Sequence, residues 1–243
     1  MDRRAIREIT AEFYAQFCGE NMLTAGEGIR FVESVKRQEK LRGFGCRYTM
    51  YIVERDKQLV VAYAPKFADA MEKLKGFSAT EIVETLCREY PLKRMHLMIF
   101  DREQVQEFKD ARTLRQADYS DYENFFREAN PESNPEGWLF EYFCEKVEKG
   151  FFTGYYKDNR LVSVCDAPDM PFMEGQIQHN GITTLPEERG RGYGKRTAAL
   201  ATHTLLEKDI CPQWECDESN TPSFCLAKSI GYEEFGTAYI LED

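Results

Sequence analysis

The sequence predicts a mixed α/β protein built as two units, a smaller N-terminal one over residues 1–111 and a second over 112–243. Three observations predict it. Some stretches carry apolar residues at helical spacing, while others are continuous β-rich runs. A helices-then-hairpin order occurs once in each half, with no internal repeat or low-complexity segment. At 243 residues, with 42% hydrophobic and 30% charged side chains, the chain is long enough to bury a proper core over one large or two modest domains.

The elements follow in order. Residues 5–18 and 28–41 place apolar side chains at helical spacing (Ile6, Ile9, Phe13, Phe17; Ile29, Val32, Val35) and read as two helices. The period then changes. Residues 48–53 and 58–63 are β-rich runs around the polar turn 54–57 and read as strands. Helices are expected at 67–75 and at 79–88, the second capped by Ser78, and a buried strand at 95–100. The second unit opens with a short strand near 113–115 and a helix over 118–129 that turns Tyr122, Phe125 and Phe126 inward. Pro131 and Pro135 break the chain before a helix from about 136 to 148, ended by Gly150. A hairpin (151–156 and 160–165), a strand (176–184), a helix (194–208), a strand (212–216), a short helix and a closing strand (232–241) complete the pattern.

Composition excludes several function classes. A net charge of −10 argues against a general nucleic-acid binder, whose phosphate affinity comes from Lys and Arg. No stretch approaches the ~20 apolar residues of a membrane span. The charged start, Met1 to Glu8, is followed by no apolar run and reads as no secretory signal. Eight cysteines without one Cys-x-x-Cys make a structural metal unexpected, and they read as reduced, buried thiols of a cytoplasmic protein.

The segment that carries chemistry runs from Gly181 to Arg196. A β-branched strand leads through Pro186 into Arg189-Gly190-Arg191-Gly192-Tyr193-Gly194, which opens a helix at Lys195 and Arg196. Glycines let backbone N–H groups approach a ligand, and a helix N-terminus adds aligned N–H groups and a positive dipole. Four cations fall within eight positions of an acidic chain, so a diphosphate is the natural ligand. A solvated surface turn is the bland alternative. A phosphate-binding P-loop is excluded by the short glycine spacing and by Arg196, which is neither Ser nor Thr. A dinucleotide fold is excluded because only 49 residues follow Gly194.

This loop resembles the Gln/Arg-x-x-Gly-x-Gly/Ala loop of the GNAT (general N-acetyltransferase) superfamily, which holds the pyrophosphate of acetyl-CoA. The following run, Trp214 to Tyr232, resembles the family's second CoA-contacting motif: a strand, an Asn, a short helix and a closing Gly-aromatic pair. Thr221, Pro222 and Gly231 also suit a helix start and stop, and Asn220 on spacing alone is equally a turn or cap residue. The resemblance covers roughly residues 112–243. The wording Pro-x-x-Arg-Gly-x-Gly and Trp-x-Cys-x-x-x-Asn is further similar to the GNAT branch with an extra N-terminal domain, which includes acetyltransferases acting on small-molecule amines.

The resemblance implies a mixed, mostly antiparallel GNAT-type sheet flanked by helices, preceded by a smaller α/β domain. It implies acetyl-CoA as acyl donor, an amine acceptor, no metal, and direct attack in a ternary complex. Ile182, Thr183 and Thr184 are then expected along the pantetheine arm, and Arg189, Gly190, Arg191, Gly192, Tyr193, Gly194 and Lys195 around the diphosphate. Asn220 and Ser223 are expected near the pantetheine and sulfur. One departure stands out: where many family members carry a Tyr that protonates the departing thiolate, this chain has Ala227. For the base, the stretch 176–184 offers Gln178 and His179; His179, with an ordinary pKa of ~6.5, is the candidate catalytic residue, beside structural and water-mediated alternatives. An amine N-acetyltransferase is therefore expected, with a catalytically silent acyl-CoA-binding module and a pure interaction protein as the alternatives.

Overall fold

The computed structural model describes residues 1–42, 45–102, 105–106 and 108–243. Eleven strands among these residues form two sheets. The seven-stranded sheet has the order β1 (Gly28–Glu33), β3 (Gln58–Tyr63), β2 (Tyr48–Arg55), β11 (Tyr232–Glu242), β4 (Lys93–Phe100), β10 (Cys211–Asp217), β8 (Ile177–His179). The four-stranded sheet has the order β5 (Ala111–Thr113), β6 (Thr153–Lys157), β7 (Arg160–Asp166), β9 (Gly181–Thr184). Most neighbouring strands are antiparallel; β1–β3 and β8–β10 are the parallel pairs.

Seven helices cover these sheets: α1 (Arg3–Cys18), α2 (Ala68–Leu74), α3 (Ala79–Glu89), α4 (Tyr119–Ala129), α5 (Leu139–Glu148), α6 (Tyr193–Glu207) and α7 (Thr221–Ile230). Their ends obey local chemistry. Asp2 caps α1 by accepting from the Ala5 N–H at 2.8 Å, and Ser78 with Glu81 forms a capping box on α3. One core lies around the seven-stranded sheet and takes Ile6, Phe13, Tyr14 and Phe17 from α1 together with Ala198 of α6 and Ile230 of α7. A second joins β2 and β3 to α2 and α3, and a third joins α4 and α5 to β6 and β7.

Three expectations are corrected. The first concerns residues 28–41, which are not a helix but strand β1 followed by a single 3-10 turn, Val35–Gln38. The i, i+3 spacing of Ile29, Val32 and Val35 imitates a helix, whereas parallel pairing of Gly28–Glu33 with Gln58–Tyr63 decides the outcome. Second, the strand expected over 176–184 is broken at Asn180 into β8 and β9, which join different sheets. Third, the cysteines are free, but only Cys18, Cys165, Cys211 and Cys216 are buried; Cys87 and Cys225 are exposed.

Residues 1–111 were also expected to pack as a layer of their own, and the strand order differs. Strand β4 of the first unit lies between β10 and β11 of the second, paired antiparallel with both. Its residues Leu97 to Phe100 are buried in succession, as befits a central strand covered on both faces. The chain leaves this sheet after Phe100, and the expected boundary at 111/112 falls inside β5 of the smaller one.

Candidate acyl-donor cleft and acceptor wall

The break at Asn180 is the geometric origin of the site. Its backbone N–H donates to the Gln213 carbonyl at 3.1 Å, the last link between the strand and β10. Its buried side chain turns towards α6 and the start of β11, where Nδ2 donates to Thr202 Oγ1 (3.0 Å) and Tyr232 Oη (3.1 Å). Beyond Asn180 the chain pairs with β7 instead, so β9 and β10 diverge and β9 is left as an edge strand. An edge strand offers free N–H and C=O groups to an extended ligand.

The gap opens into a cleft of about 660 Å³. Ile182, Thr183 and Thr184 of β9 form one wall; Arg189, Gly190 and Gly192 form the loop; Tyr193, Gly194 and Lys195 begin α6; Asn220 and Ser223 come from the start of α7. Arg191 is the one donor-site candidate outside the lining; it pairs with Glu188 at 3.1 Å. The glycines serve two separate needs. Gly190 and Gly192 have φ of 75° and 83°, the left-handed region where glycine carries no penalty. Gly194 is needed for close approach: a Cβ there meets Thr184 Oγ1 at 3.2 Å.

Gly192, the N-cap of α6, has no side chain to cap the helix, so the first-turn N–H groups face the cleft with the helix dipole behind them. Of the four cations, Arg196 is paired with Asp110 and Arg191 with Glu188. Arg189 donates to the Thr184 carbonyl at 3.1 Å, and Lys195 has no carboxylate partner among the described residues. Those two remain for an anion. Asn220 accepts from the Ser223 N–H at 3.2 Å as the cap of α7, and Ser223 Oγ accepts from the Trp214 indole N–H at 3.1 Å. Ala227 is fully buried in the core, and the thiol of exposed Cys225 lines the cleft instead.

On the opposite face of the sheet, β10 presents Cys211 and Gln213 to α1. Gln213 Nε2 donates to Tyr14 Oη (2.9 Å) and Glu215 Oε2 (3.2 Å), which turns its Oε1 towards His179 Nδ1 at 2.6 Å. That oxygen only accepts, so Nδ1 carries the hydrogen and Nε2 holds the lone pair. Burial depresses the His179 pKa, with the Gln213 hydrogen bond opposing. Burial also pushes Glu215 up to about 7, against hydrogen bonds to Gln213 and Tyr14. Glu215, Gln213 and Tyr14 were not singled out in the sequence; alternate polar residues in an apolar strand were the available signal. Gln178, the other candidate of that stretch, instead donates to the Pro168 carbonyl at 2.8 Å.

A second cavity of about 510 Å³ lies between α5 and β8. Its buried Lys146 is neutralised by Asp169 at 2.6 Å, and Arg42 and Lys149 both pair with Glu174. Among the described residues no cluster of His, Cys, Asp or Glu is placed to hold a metal, and no helix is long and apolar enough to cross a membrane.

The comparisons agree with this geometry. The family model for GNAT acetyltransferases matches residues 138–241, the part of the chain that carries the cleft. The uncharacterized N-acetyltransferase YdfB of Bacillus subtilis (strain 168) is 30% identical over 87 residues, which is 36% of this chain and 32% of that protein's length. A GNAT-family acetyltransferase from Colwellia psychrerythraea shares the fold at a TM-score of 0.54 and 13% identity, covering 75% of this chain and 76% of the other. A GCN5-related N-acetyltransferase from Sphaerobacter thermophilus does so at 0.52 and 18% identity, covering 68% and 56%.

Proposed function

We propose that this chain transfers the acetyl group of acetyl-CoA to the amine of a small molecule by direct attack in a ternary complex. The observation that carries the reading is the cleft lined by β9, the glycine loop and the starts of α6 and α7, into which the α6 N-terminus opens. In this reading Arg189, Lys195 and the loop N–H groups hold the diphosphate, and the β9 edge pairs with the pantetheine arm. Residues 112–243 supply the donor site. The first unit supplies β4 and, through α1 and β2, the wall facing the acceptor.

The acceptor arrives as an ammonium and is drawn to the half-buried Glu215 carboxylate. Nε2 of neutral His179 takes its proton, and Gln213 fixes that ring and joins the two groups. The amine nitrogen then forms its bond to the thioester carbon, the C–S bond breaks, and the proton shed by the new amide nitrogen neutralises the thiolate. No phenol is needed for that last transfer, which suits Ala227. The same alanine favours a second reading, an acyl-CoA-binding module without turnover, in which acetyl-CoA binds and no thiol is released over a panel of amines.

The pH profile of kcat/KM tests the acid–base assignment. Activity needs both groups deprotonated, so it is expected to rise with pH through an ionisation near 7 set by Glu215. Glu215→Gln should remove that limb, and His179→Gln should lower kcat/KM by ~10²-fold while leaving the limb in place. Glu215 also gives a stability signature. Its folded pKa lies above the ordinary 4.5, so its stabilisation is full below pH 4.5 and is lost as pH rises through about 7. The loss is at most ~3 kcal/mol, and it is absent in Glu215→Gln. Unchanged profiles in both variants remove the pair from the mechanism.

A further inference from the structure

Behind the acceptor wall lies a buried cation that forms no salt bridge among the described residues. Arg37, on the turn Val35–Gln38, is 4% exposed, and no carboxylate among the described residues pairs with it. Its Nη1 makes no hydrogen bond. The Tyr51 hydroxyl on β2 is equally sealed and equally unpartnered. The two belong to one place: the turn packs on β2, and the Arg37 charge interacts with the Tyr51 hydroxyl, then the Cys18 thiol and, last, the Glu39 carboxylate, with which it forms no salt bridge among the described residues. A guanidinium stays charged at any physiological pH, and burying one unpaired costs several kcal/mol. Two orphaned donors in one spot of a native fold call for an acceptor group.

We propose that Arg37 and Tyr51 form a carboxylate site, and that the acceptor is therefore an amino carboxylate whose amine end lies at Glu215 and His179. This deepens the acetyltransferase reading and rests on it for the amine end. One cation and two donors match the single charge and two oxygens of a carboxylate, whereas a phosphate dianion leaves a charge unbalanced. The site is continuous with the proposed base. Glu215 acts electrostatically on both Tyr51 and Tyr48, and Gln213 links it to His179. Phe17, stacked on Tyr51 at 4.7 Å, and Tyr48, at 6.0 Å from Tyr51, give the intervening wall its apolar character. Because both orphaned atoms are closed to solvent, occupation couples to a displacement of the turn that carries Arg37.

The test is a calorimetric titration of the full chain, with and without acetyl-CoA, using acetate, phenylacetate and 4-phenylbutyrate as amine-free probes and inorganic phosphate as the control anion. At least one carboxylate is expected to bind, phosphate is not, and Arg37→Met should weaken the carboxylate by ~30-fold or more, Tyr51→Phe by less. Arg37→Met removes an unpaired buried charge, so its unliganded Tm should hold or rise; if it falls, Tyr51→Phe supplies the comparison. Matched substrates then read out the acceptor: phenylalanine should be acetylated ~10²-fold better than 2-phenylethylamine, or 4-aminobutyrate better than propylamine, and Arg37→Met should erase only that preference. No carboxylate binding, equal binding of phosphate, or affinities unchanged in Arg37→Met overturns the site. Carboxylate binding without acetyl-CoA binding leaves the site standing and sinks the acetyltransferase reading instead.

Discussion

Residues 112–243 expressed alone are expected to remain unfolded, even though they contain every candidate for the donor cleft. The reason is β4. It lies between β10 and β11 and pairs with both, so the second unit by itself has a missing central strand. Leu97, Met98, Ile99 and Phe100 are all buried, and at 1.5–3 kcal/mol for each large apolar side chain their loss removes about 6–12 kcal/mol. That equals the whole stability of an ordinary domain, about 5–15 kcal/mol. Circular dichroism and amide dispersion check the outcome, and co-expression with residues 1–111 is expected to restore a folded complex. A cooperatively folded 112–243 fragment contradicts the shared sheet.

Gly192→Asp is expected to reduce acetyl-CoA affinity by ~10²-fold or more while the fold survives. Open space surrounds a Cβ at this position, so no side chain must move. Its φ of 83° strains any L-residue, by about 1–2 kcal/mol, least for Asp and Asn. Asp is moreover a favoured helix cap and here would cap α6. Capping is what harms binding: the carboxylate occupies the first-turn N–H groups and sets a negative charge where the diphosphate is proposed to approach. Arg189→Ala should weaken binding less, because that side chain already donates to the Thr184 carbonyl. Calorimetry showing wild-type affinity in Gly192→Asp, with an unchanged Tm, removes the diphosphate from this loop.

The parts of the molecule legible in the sequence are those fixed by short-range chemistry. The glycine loop opens α6 where its spacing says it should, and Pro222 and Gly231 bound α7 as start and stop residues. The parts that were not legible depend on distant pairing. Nothing in Gly28–Glu33 announces a parallel partner thirty residues on, and helical spacing in a short apolar run imitates the wrong period. Asn180 sits inside a good strand pattern, and only its buried bonds to Thr202 and Tyr232, from two later elements, explain why the strand breaks there. His179 was visible as a lone imidazole in the right stretch. Its partners were not, because Tyr14 and Gln213 meet across 199 residues of chain. Arg37 gave no signal at all, since a charged residue in a polar stretch reads as a solvated surface residue.

Hydrogen exchange of the full chain with and without acetyl-CoA tests the central claim most directly. The account predicts protection of the amides of Ile182, Thr183 and Thr184 on the β9 edge and of the loop and first helical turn, Gly190 to Lys195. Segments lining the α5–β8 cavity around Lys146 should be unchanged. Protection confined to that second cavity, or none in β9 and the loop at saturating acetyl-CoA, would contradict it.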